Sequence, residues 1–315
     1  MLVQFWLIRM PMKAKVWDVV IVGGGPAGRS AAIVLARCNR SVLVIDEGKY
    51  RNSRSQGIRN FITRDDMLPA DFAHSSASEL RKYGVRFKKA RGESARSLKH
   101  KGFELTDNKD AEHLCRRVLL ATGVSDNIPT VPGMQELWGS SVFHCPYCDG
   151  WEARNKIVGV YSCHVNGYGM ALTLRRLSRN VILFTDGSRN LNPRQRGDLE
   201  ANRVTVVSKR IEKLEHTNER LTGVRLRSGE IVNCDAIFTN EGNKVNADLL
   251  AQLNCDCTKK GAAITNRKQQ TSVPGVYVAG DASYDMHFVV LAAAEGVKAA
   301  VAIHNDLQKT DITVP

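Results

Sequence analysis

The fold of this chain is decided by the stretch Val16-Trp-Asp-Val-Val-Ile-Val-Gly-Gly-Gly-Pro-Ala-Gly28. Its first half is a mostly apolar run of strand length, and the glycine-rich turn leads into a stretch of helical composition, Ser30–Cys38. A second apolar run, Ser41–Ile45, ends in Asp46, whose carboxylate can accept hydrogen bonds from ribose hydroxyls. The order of strand, glycine turn, helix, strand and acid predicts a dinucleotide-binding unit.

Each glycine of the turn has a physical task in such a unit. Gly23 permits the tight turn, Gly25 lets the backbone approach a pyrophosphate, and Gly28 lets the helix pack closely on the strand. Pro26 and Ala27 lie at the start of the helix, where free backbone N–H groups attract phosphate. The alternative is a glycine-rich turn without a ligand, and the flanking strand, helix and acid argue against it.

Length and composition fit a globular protein of two domains. The chain has 315 residues, 43% of them hydrophobic, and no apolar run approaches the ~20 residues of a membrane span. The apolar segment Met1–Ile8 is too short for a span or a signal peptide, and Met10 and Met12 are alternative starts. Eight cysteines at irregular spacing do not resemble a secreted disulfide scaffold, so we expect a cytoplasmic protein without membrane association.

The chain is basic, with a formal net charge of +13. The segment Arg81–Lys101 holds nine Lys or Arg residues against the single acid Glu93. Such a segment is either a solvated surface or a contact for an acidic protein partner. A nucleic-acid partner is not expected, because no nucleic-acid motif or interleaved aromatic pattern accompanies the charge.

The second informative stretch is His144-Cys-Pro-Tyr-Cys-Asp-Gly-Trp-Glu152. The spacing of Cys145 and Cys148 allows a disulfide across one helical turn, which can hold two electrons and pass them on by thiol–disulfide exchange. Asp149 is placed to move a proton to or from a reacting sulfur. The alternatives are two unrelated helix cysteines or half of a zinc site. No second Cys-x-x-Cys supplies further ligands, so no metal site is predicted.

A second strand–turn–helix–strand unit begins at Lys156–Tyr161, so the chain contains two copies of one topology. Its turn has lost the glycines, because Ser162 and His164 stand where a Cβ blocks close approach of a ligand. After its second strand stand Thr185 and Asp186, which provide no arginine pair for a 2′-phosphate. We therefore predict that this unit keeps the fold and does not bind NADPH.

Later segments complete the first unit. One buried strand ends in Thr122-Gly123 and another in Gly280-Asp281, and a glycine after a buried strand favours close approach of backbone and ligand. Asp281 can accept a hydrogen bond from a ribityl hydroxyl. His287-Phe288-Val289 then leads into a small-residue helix, Leu291–Ile303, whose positive end can face a flavin carbonyl. The tail after this helix, beyond Leu307, is expected to fray.

Together these motifs resemble the low-molecular-weight thioredoxin reductases. The likeness extends from about Val16 to Ile303, and it is carried by Gly23-x-Gly25-x-x-Gly28, Ala121-Thr-Gly123, Cys145-x-x-Cys148-Asp149-Gly150 and Thr271-Ser-Val-Pro-Gly-Val-Tyr-Val-Ala-Gly-Asp281. The resemblance implies FAD in the first domain, completed by the C-terminal segment, and a homodimer. It also implies a disulfide in the second domain that takes electrons from the flavin and reduces thioredoxin.

The resemblance also implies roles for single residues. Cys148 is similar to the flavin-proximal thiol, Cys145 to the thiol that attacks the substrate disulfide, and Asp149 to the acid. Asn60 falls near a family position that contacts the flavin. In this family the cysteine pair faces first the flavin and then the partner, which requires one domain to rotate.

The departures from the family pattern resemble its branches that use no pyridine nucleotide. Members that use NADPH have glycines in the second turn, arginines after its second strand and an Arg-Gln pair at His287-Phe288. One branch takes electrons from ferredoxin, and the chain is similar to it or to the deep-branching cyanobacterial reductases. Another branch comprises dithiol oxidases, which pass electrons from FAD to oxygen. A non-enzymatic flavin sensor is a third alternative, against which the intact Cys145–Cys148–Asp149 unit argues.

We therefore predict an α/β fold of two doubly wound, Rossmann-like domains, the second inserted into the first. Residues 1–127 and 243–315 are assigned to the FAD-binding domain, and residues 128–242 to a redox-disulfide domain with a degenerate NADPH-binding fold. The predicted function is FAD-dependent thiol–disulfide oxidoreduction through Cys145–Cys148. Thioredoxin or a similar disulfide is the expected substrate, and a ferredoxin-like donor is expected in place of NADPH.

Overall fold

The structure is a computed structural model that describes residues 15–99, 102–164, 166–283 and 286–312. The apolar N-terminal segment and its alternative starts lie outside the described residues. In chain order the described residues form β1 (Val16–Val22), α1 (Pro26–Arg37), β2 (Val42–Asp46), α2 (Pro69–Lys82), β3 (Arg86–Lys89), β4 (Gly92–Leu98), β5 (Gly102–Asp107), β6 (Glu112–Leu120), β7 (Val124–Asp126), β8 (Val142–Phe143), α3 (Pro146–Asp149), β9 (Ile157–Tyr161), α4 (Asn166–Leu174), β10 (Asn180–Phe184), α5 (Pro193–Ala201), β11 (Val204–Val207), β12 (Ile211–Thr217), β13 (Arg220–Leu226), β14 (Ile231–Asn233), β15 (Ala236–Thr239), β16 (Asn243–Val245), α6 (Asp248–Gln252), β17 (Val276–Val278) and α7 (Val289–Ile312).

A seven-stranded sheet contains the first dinucleotide-binding unit. Its strands lie in the order β3-β2-β1-β6-β5-β4, and β17 pairs with β6. The pairs among β3, β2, β1, β6 and β17 are parallel, whereas β5 pairs antiparallel with β4 and β6. Because parallel strands have their carboxyl ends at one edge of the sheet, the loops after β1, β2, β6 and β17 meet at that edge.

Both faces of this sheet are covered, which explains why the buried part of β1, Val19–Val22, is a continuous apolar run without polar alternation. On one face Val19 packs with Leu35 of α1 and Ile303 of α7. On the opposite face Val20 packs with Leu250 of α6. The C-terminal helix is therefore part of the first unit and lies beside the helix that follows the glycine turn.

A five-stranded parallel sheet of order β11-β10-β9-β15-β8 contains the second unit. The second strand–turn–helix–strand motif consists of β9, α4 and β10. A three-stranded antiparallel sheet, β12-β13-β14, belongs to the same stretch of chain. Strands β7 and β16, which connect the two large sheets, pair with each other. The predicted α/β fold is confirmed, while the predicted domain boundaries stay a prediction.

Helix α7 is longer than the predicted helix Leu291–Ile303. It continues to Ile312, so the prediction that the chain frays beyond Leu307 is wrong. The last turn is held because Asp311 accepts hydrogen bonds from Arg40 at 2.6 Å and from Arg116 at 2.5 Å. Although α7 has 24 residues, neither it nor any other helix in the described ranges is long and apolar enough to cross a membrane.

Candidate redox site and cofactor cavity

A cavity of about 640 Å³ lies where the carboxyl ends of the first sheet meet the redox segment. The loops after β1, β2, β6 and β17 line it together with the start of α7 and the second cysteine of the redox pair. The predicted site residues in its lining are Gly23, Gly25, Pro26, Ala27, Asp46, Thr122, Gly123, Cys148, Asp149, Gly280, Asp281, His287, Phe288 and Val289. The other predicted residues, Gly28, Asn60 and Cys145, do not line the cavity.

The glycine turn has the geometry of an anion-binding helix start. Helix α1 begins at Pro26, and the residue before it, Gly25, caps it without any side-chain hydrogen bond. The first N–H groups of the helix therefore stay available to a ligand in the cavity. Gly23 has a φ of +102°, which favours glycine. A Cβ on Gly28 would overlap the carbonyl oxygen of Gly23, so this glycine sets the contact between helix and turn.

Two residues that the sequence did not single out hold Asp46 in place. The hydroxyl of Tyr50 donates a hydrogen bond to the Asp46 carboxylate at 2.6 Å. Arg29, a buried arginine of α1, donates to the Tyr50 oxygen at 2.8 Å and to the Gly24 carbonyl at 2.5 Å. Burial and the bond to Asp46 raise the pKa of Tyr50, so the hydroxyl keeps its proton. The acid after β2 is thereby oriented by a chain of hydrogen bonds that also fixes the glycine turn.

A second arginine, Arg51, lines the cavity and connects three of its side chains. It donates to Asp281 at 3.0 Å and to Asp126 at 2.5 Å, and its Nη1 lies 2.7 Å from Nδ1 of His287. Burial opposes its charge, and the two carboxylates outweigh that cost and raise its pKa. Asp281, predicted to accept from a ribityl hydroxyl, is therefore already paired on one side with a permanent cation.

The redox segment contains a disulfide between Cys145 and Cys148, with the Cα atoms 5.3 Å apart. Cys145 caps the short helix α3, and its sulfur accepts a hydrogen bond from the Cys148 N–H at 3.1 Å. Cys148 lines the cavity, whereas Cys145 does not. The aromatic neighbours Tyr147 and Trp151 are 69% and 62% exposed. One sulfur thus lies on the cavity, and the segment around it also reaches solvent.

Asp149 borders the same cavity as Cys148. Burial raises its pKa to about 6, with Glu152 adding to the rise and Arg59 opposing it. A carboxyl with that pKa exchanges its proton near neutral pH, as a general acid or base must. His144, which stacks on Trp138 with ring centroids 6.0 Å apart, has its pKa lowered by burial and by the nearby cation Arg51.

Asn60 contacts the redox segment and not the cavity. Its Nδ2 donates to the carbonyl oxygen of Tyr147 at 3.0 Å, and its φ is +60°. The neighbouring Arg59 lines the cavity and lies 3.6 Å from Glu152. The loop that contains both residues therefore joins the first unit to the redox segment.

The turn of the second unit is closed by its own side chains. The Ser162 hydroxyl is buried, donates to the carbonyl of His164 and accepts from the N–H of the same residue, both at 3.1 Å. The His164 ring lies 3.2 Å from Glu241. The turn that corresponds to the glycine turn of the first unit is thus closed by hydrogen bonds of the Ser162 hydroxyl.

The carboxylate of Asp186, after the second strand of this unit, is also engaged. It accepts from the N–H of Ile211 at 2.6 Å and from the hydroxyl of Tyr161 at 3.3 Å. Burial and a contact with Cys163 raise the pKa of that tyrosine. The side chain after this strand is therefore engaged by the protein's own backbone and Tyr161. Among the described residues, no cluster of three or more His, Cys, Asp or Glu side chains could hold a metal ion.

Comparison with known proteins agrees with this architecture. The family model described as pyridine nucleotide-disulphide oxidoreductase matches residues 17–296. A probable thioredoxin reductase of Arthroderma benhamiae is 30% identical, and the match covers 93% of this chain and 81% of the relative. The thioredoxin reductase tcpT of Claviceps purpurea is 31% identical and covers 84% of this chain and 86% of its own length.

Solved structures extend the likeness to both units. The crystal structure of HlmI is 32% identical, covers 94% of each chain and has a TM-score of 0.91. The crystal structure of an oxidoreductase from Agrobacterium tumefaciens is 27% identical, covers 94% of this chain and 99% of its own, and has a TM-score of 0.87.

Proposed function

The chain belongs to the pyridine nucleotide-disulphide oxidoreductase family, and within it we propose a thiol–disulfide oxidoreductase of thioredoxin reductase type that works through Cys145–Cys148 without NADPH. One observation carries the proposal: the dinucleotide turn at Gly25 and the sulfur-bearing residue Cys148 line the same cavity. The cofactor of the family is FAD, which supplies a store of two electrons when it is bound.

The residues around the cavity fit FAD. The uncapped start of α1 suits the pyrophosphate, and Asp46, oriented by Tyr50, suits the ribose. Gly280 and the first residues of α7 line the cavity on the side of Asp281. We assign these residues to FAD binding.

The exchange at the cysteine pair follows from its placement. Once the pair is reduced, the Cys145 thiolate attacks one sulfur of the substrate disulfide, and the other substrate sulfur leaves with a proton from Asp149. Cys148 then attacks Cys145, which releases the second substrate thiol and restores the disulfide. The substrate gains two electrons, and the pair loses two.

Three features support the exclusion of NADPH. The second turn is filled by Ser162 and His164. Thr185 and Asp186 stand at the positions where NADPH-using members of the family have arginines. His287 and Phe288 stand at the positions where NADPH-using members have an Arg-Gln pair. We propose instead an acidic one-electron carrier such as ferredoxin as donor, supported by the net charge of +13. Thioredoxin or a similar disulfide is the proposed substrate.

A second candidate is oxidation of a small dithiol, with oxygen as the final acceptor. The observation in its favour is that Cys148 lines the cavity while Tyr147 and Trp151 next to it are exposed. A small dithiol can then reach the disulfide without the domain rotation that a folded partner needs. A flavin sensor without turnover is a weaker alternative, because it would give the intact Cys145–Cys148 pair and Asp149 no catalytic role.

The deciding experiment compares electron donors for the purified holoprotein. We expect reduced ferredoxin to bleach the flavin under anaerobic conditions, and NADPH and NADH at micromolar concentration to leave it oxidised. Rapid bleaching by NADPH would refute the proposed exclusion. Rapid oxygen consumption with a small dithiol and no added carrier would select the dithiol oxidase. Cys148→Ser should stop exchange in either case, whereas unchanged behaviour of this variant would favour the sensor.

We also propose a homodimer and a cytoplasmic location. The six cysteines outside the redox pair are free thiols, which suits a reducing compartment. Helix α7 exposes Val290, Val297 and Val301, which offers an apolar surface to a second copy. Sedimentation equilibrium of the holoprotein tests the dimer.

A further inference from the structure

Arg59 is a buried cation that the first unit places against the redox segment. Only 11% of its side chain is exposed. It pairs with Asp66 of its own loop, and its Nη1 lies 3.6 Å from Oε1 of Glu152. The next residue, Asn60, donates to the Tyr147 carbonyl at 3.0 Å. Two successive loop residues thus contact the redox segment on both sides of its acid.

The loop is held in a conformation that ordinary residues avoid. Asn60, Thr63 and Asp66 all have positive φ, at 60°, 68° and 66°. A β-branched residue rarely adopts such an angle, and the conformation persists where the surrounding contacts fix the backbone. The loop therefore presents Arg59 in a fixed position.

The ion pair between Arg59 and Glu152 leaves one polar atom of each side chain without a hydrogen-bond partner in the described part of the chain. Nε of the arginine and Oε2 of the glutamate are buried and have no hydrogen-bond partner among the described residues. A bidentate pair would use both atoms. Arg59 and Glu152 both act electrostatically on the Asp149 carboxyl, and they act with opposite sign.

We propose that Arg59 is a positioning residue for thiol–disulfide exchange: it holds the redox segment to the cofactor-binding unit through Glu152 and keeps the Asp149 carboxyl ionised to accept a proton from an incoming thiol. The inference rests on the proposed function, because it assumes exchange at Cys145–Cys148. Arg59 itself touches neither sulfur in this role.

The step on which Arg59 acts is the opening of the disulfide by a dithiol. Asp149 takes the proton of the first thiol, and the resulting thiolate attacks Sγ of Cys145. The bond between Cys145 and Cys148 breaks, and Cys148 leaves as a thiolate. The second thiol of the dithiol gives its proton to the Cys148 thiolate and displaces Cys145, which leaves as a thiolate and takes up the proton held by Asp149. The dithiol loses two electrons and becomes a disulfide, and the cysteine pair gains them.

The groups that face Asp149 define the expected pH dependence. Arg59 comes from the loop and Glu152 from the redox segment itself, while the side chain of Leu177 packs beside Gly150. Arg59 lowers the pKa of Asp149, and Glu152 raises it. Removal of the arginine should therefore shift the pH profile upward, and removal of the glutamate should shift it downward.

The test measures the rate at which dithiothreitol opens the Cys145–Cys148 disulfide between pH 5 and 8. Free thiols are trapped by alkylation and counted by intact mass, so the readout does not depend on the flavin signal. The wild-type profile should rise through the Asp149 pKa of about 6. Arg59→Gln should shift it upward by roughly one unit, which at pH 6 is about a fivefold slower rate. Glu152→Gln should shift it downward, and Arg59→Lys should stay close to wild type.

Arg64→Gln is the matched control, because Arg64 is an exposed arginine of the same loop and its loss changes the net charge equally. Coinciding profiles for Arg59→Gln and Arg64→Gln would overturn the inference. If Arg59→Gln does not fold, an upward or absent shift in Glu152→Gln would overturn it as well. Wild-type protein that shows no more exchange than Cys148→Ser would overturn the proposed function and the inference with it, whereas wild-type exchange with coinciding variant profiles overturns the role of Arg59 alone.

Discussion

At the scale of single residues, Asp149 links stability to pH. Its pKa of about 6 lies above the ordinary value of 3.8 because the carboxyl is buried. The folded protein therefore binds this proton more tightly than the unfolded chain does. Stability from this group is greatest below about pH 4, falls as the pH rises to about 6, and is constant above it. The cost at neutral pH is at most about 3 kcal/mol.

Asp149→Asn should remove this cost and the catalytic proton together. We expect a higher melting temperature than wild type at pH 7.5, no gain at pH 4, and exchange at neutral pH slower by about 10²-fold or more. Thermal unfolding at both pH values and the dithiothreitol assay measure the two effects. The control is Asp110→Asn, at an exposed turn with φ of +57° that asparagine tolerates. Equal melting shifts in both variants would contradict the argument.

Tyr50→Phe tests the orientation of Asp46. The change removes the 2.6 Å hydrogen bond to the carboxylate and leaves Arg29 without one acceptor. A lost hydrogen bond of this kind costs about 1 kcal/mol, so apoprotein should bind FAD roughly fivefold more weakly. Fluorescence titration with FAD gives the affinity. Tyr83→Phe serves for comparison, because the Tyr83 hydroxyl accepts from Arg37 at an exposed site. Equal affinities for the two variants would show that Tyr50 does not position the acid.

At the scale of elements, the contact between α1 and the glycine turn leaves no space for a side chain at Gly28. Gly28→Ala places a Cβ on the carbonyl of Gly23, so the helix must move away from the turn that it positions. We expect protein that takes up little FAD and has a lower flavin absorbance per chain. Gly169→Ala is the matched control in α4, where an added Cβ meets no atom within 4 Å. This control should retain FAD and gain up to about 1 kcal/mol from helix propensity. Equal flavin content in the two variants would contradict this account.

The elements that sequence predicts well are those with local causes. The strands β2 and β9 occur within one residue of the apolar runs Ser41–Ile45 and Lys156–Tyr161, because short apolar runs between turn residues specify them. The turn residues that line the cavity were also predictable, because the glycine pattern between a strand and a helix is a local feature of the sequence. Helix α7 was underestimated because its last turns are held by Arg40 and Arg116, which lie far away in the chain.

Buried arginines were not predictable from sequence. Arg29 stands in a helix next to small residues, and its partners Tyr50 and Ser76 are 21 and 47 residues away. Arg59 stands in a polar loop that has the composition of a solvated surface. A sequence window contains no signal for pairs of this kind, because the tertiary fold brings the partners together. A buried charge is identified only when its partners are known.

At the scale of the whole molecule, two copies of one topology have different tasks. The first keeps an open helix start at Gly25, and the second has closed its turn with Ser162 and His164. The second unit nevertheless places Cys148 on the cavity of the first. Under the proposed function, the folded second unit positions the redox pair without a nucleotide of its own. Sequence predicts both units, but it does not predict how they pack on each other.

The charge of the whole molecule leads to the final prediction. If an acidic carrier delivers the electrons, opposite charges accelerate the encounter, and the second-order rate of flavin reduction by ferredoxin should fall about tenfold or more between 20 mM and 500 mM salt. Reduction by dithiothreitol, which is uncharged at pH 7, should hardly change over the same range.

The surface that the carrier meets can be located with charge reversals. Arg86 and Lys89 are exposed on β3, the edge strand of the first sheet, and reversal of both to Glu should slow reduction by ferredoxin. Reversal of the exposed pair Arg194 and Arg220 in the second unit changes the net charge equally. A slower rate in the β3 variant alone assigns the encounter to the basic segment, whereas equal slowing means that the net charge alone steers the carrier. A ferredoxin rate that neither salt nor either reversal changes would contradict an acidic donor.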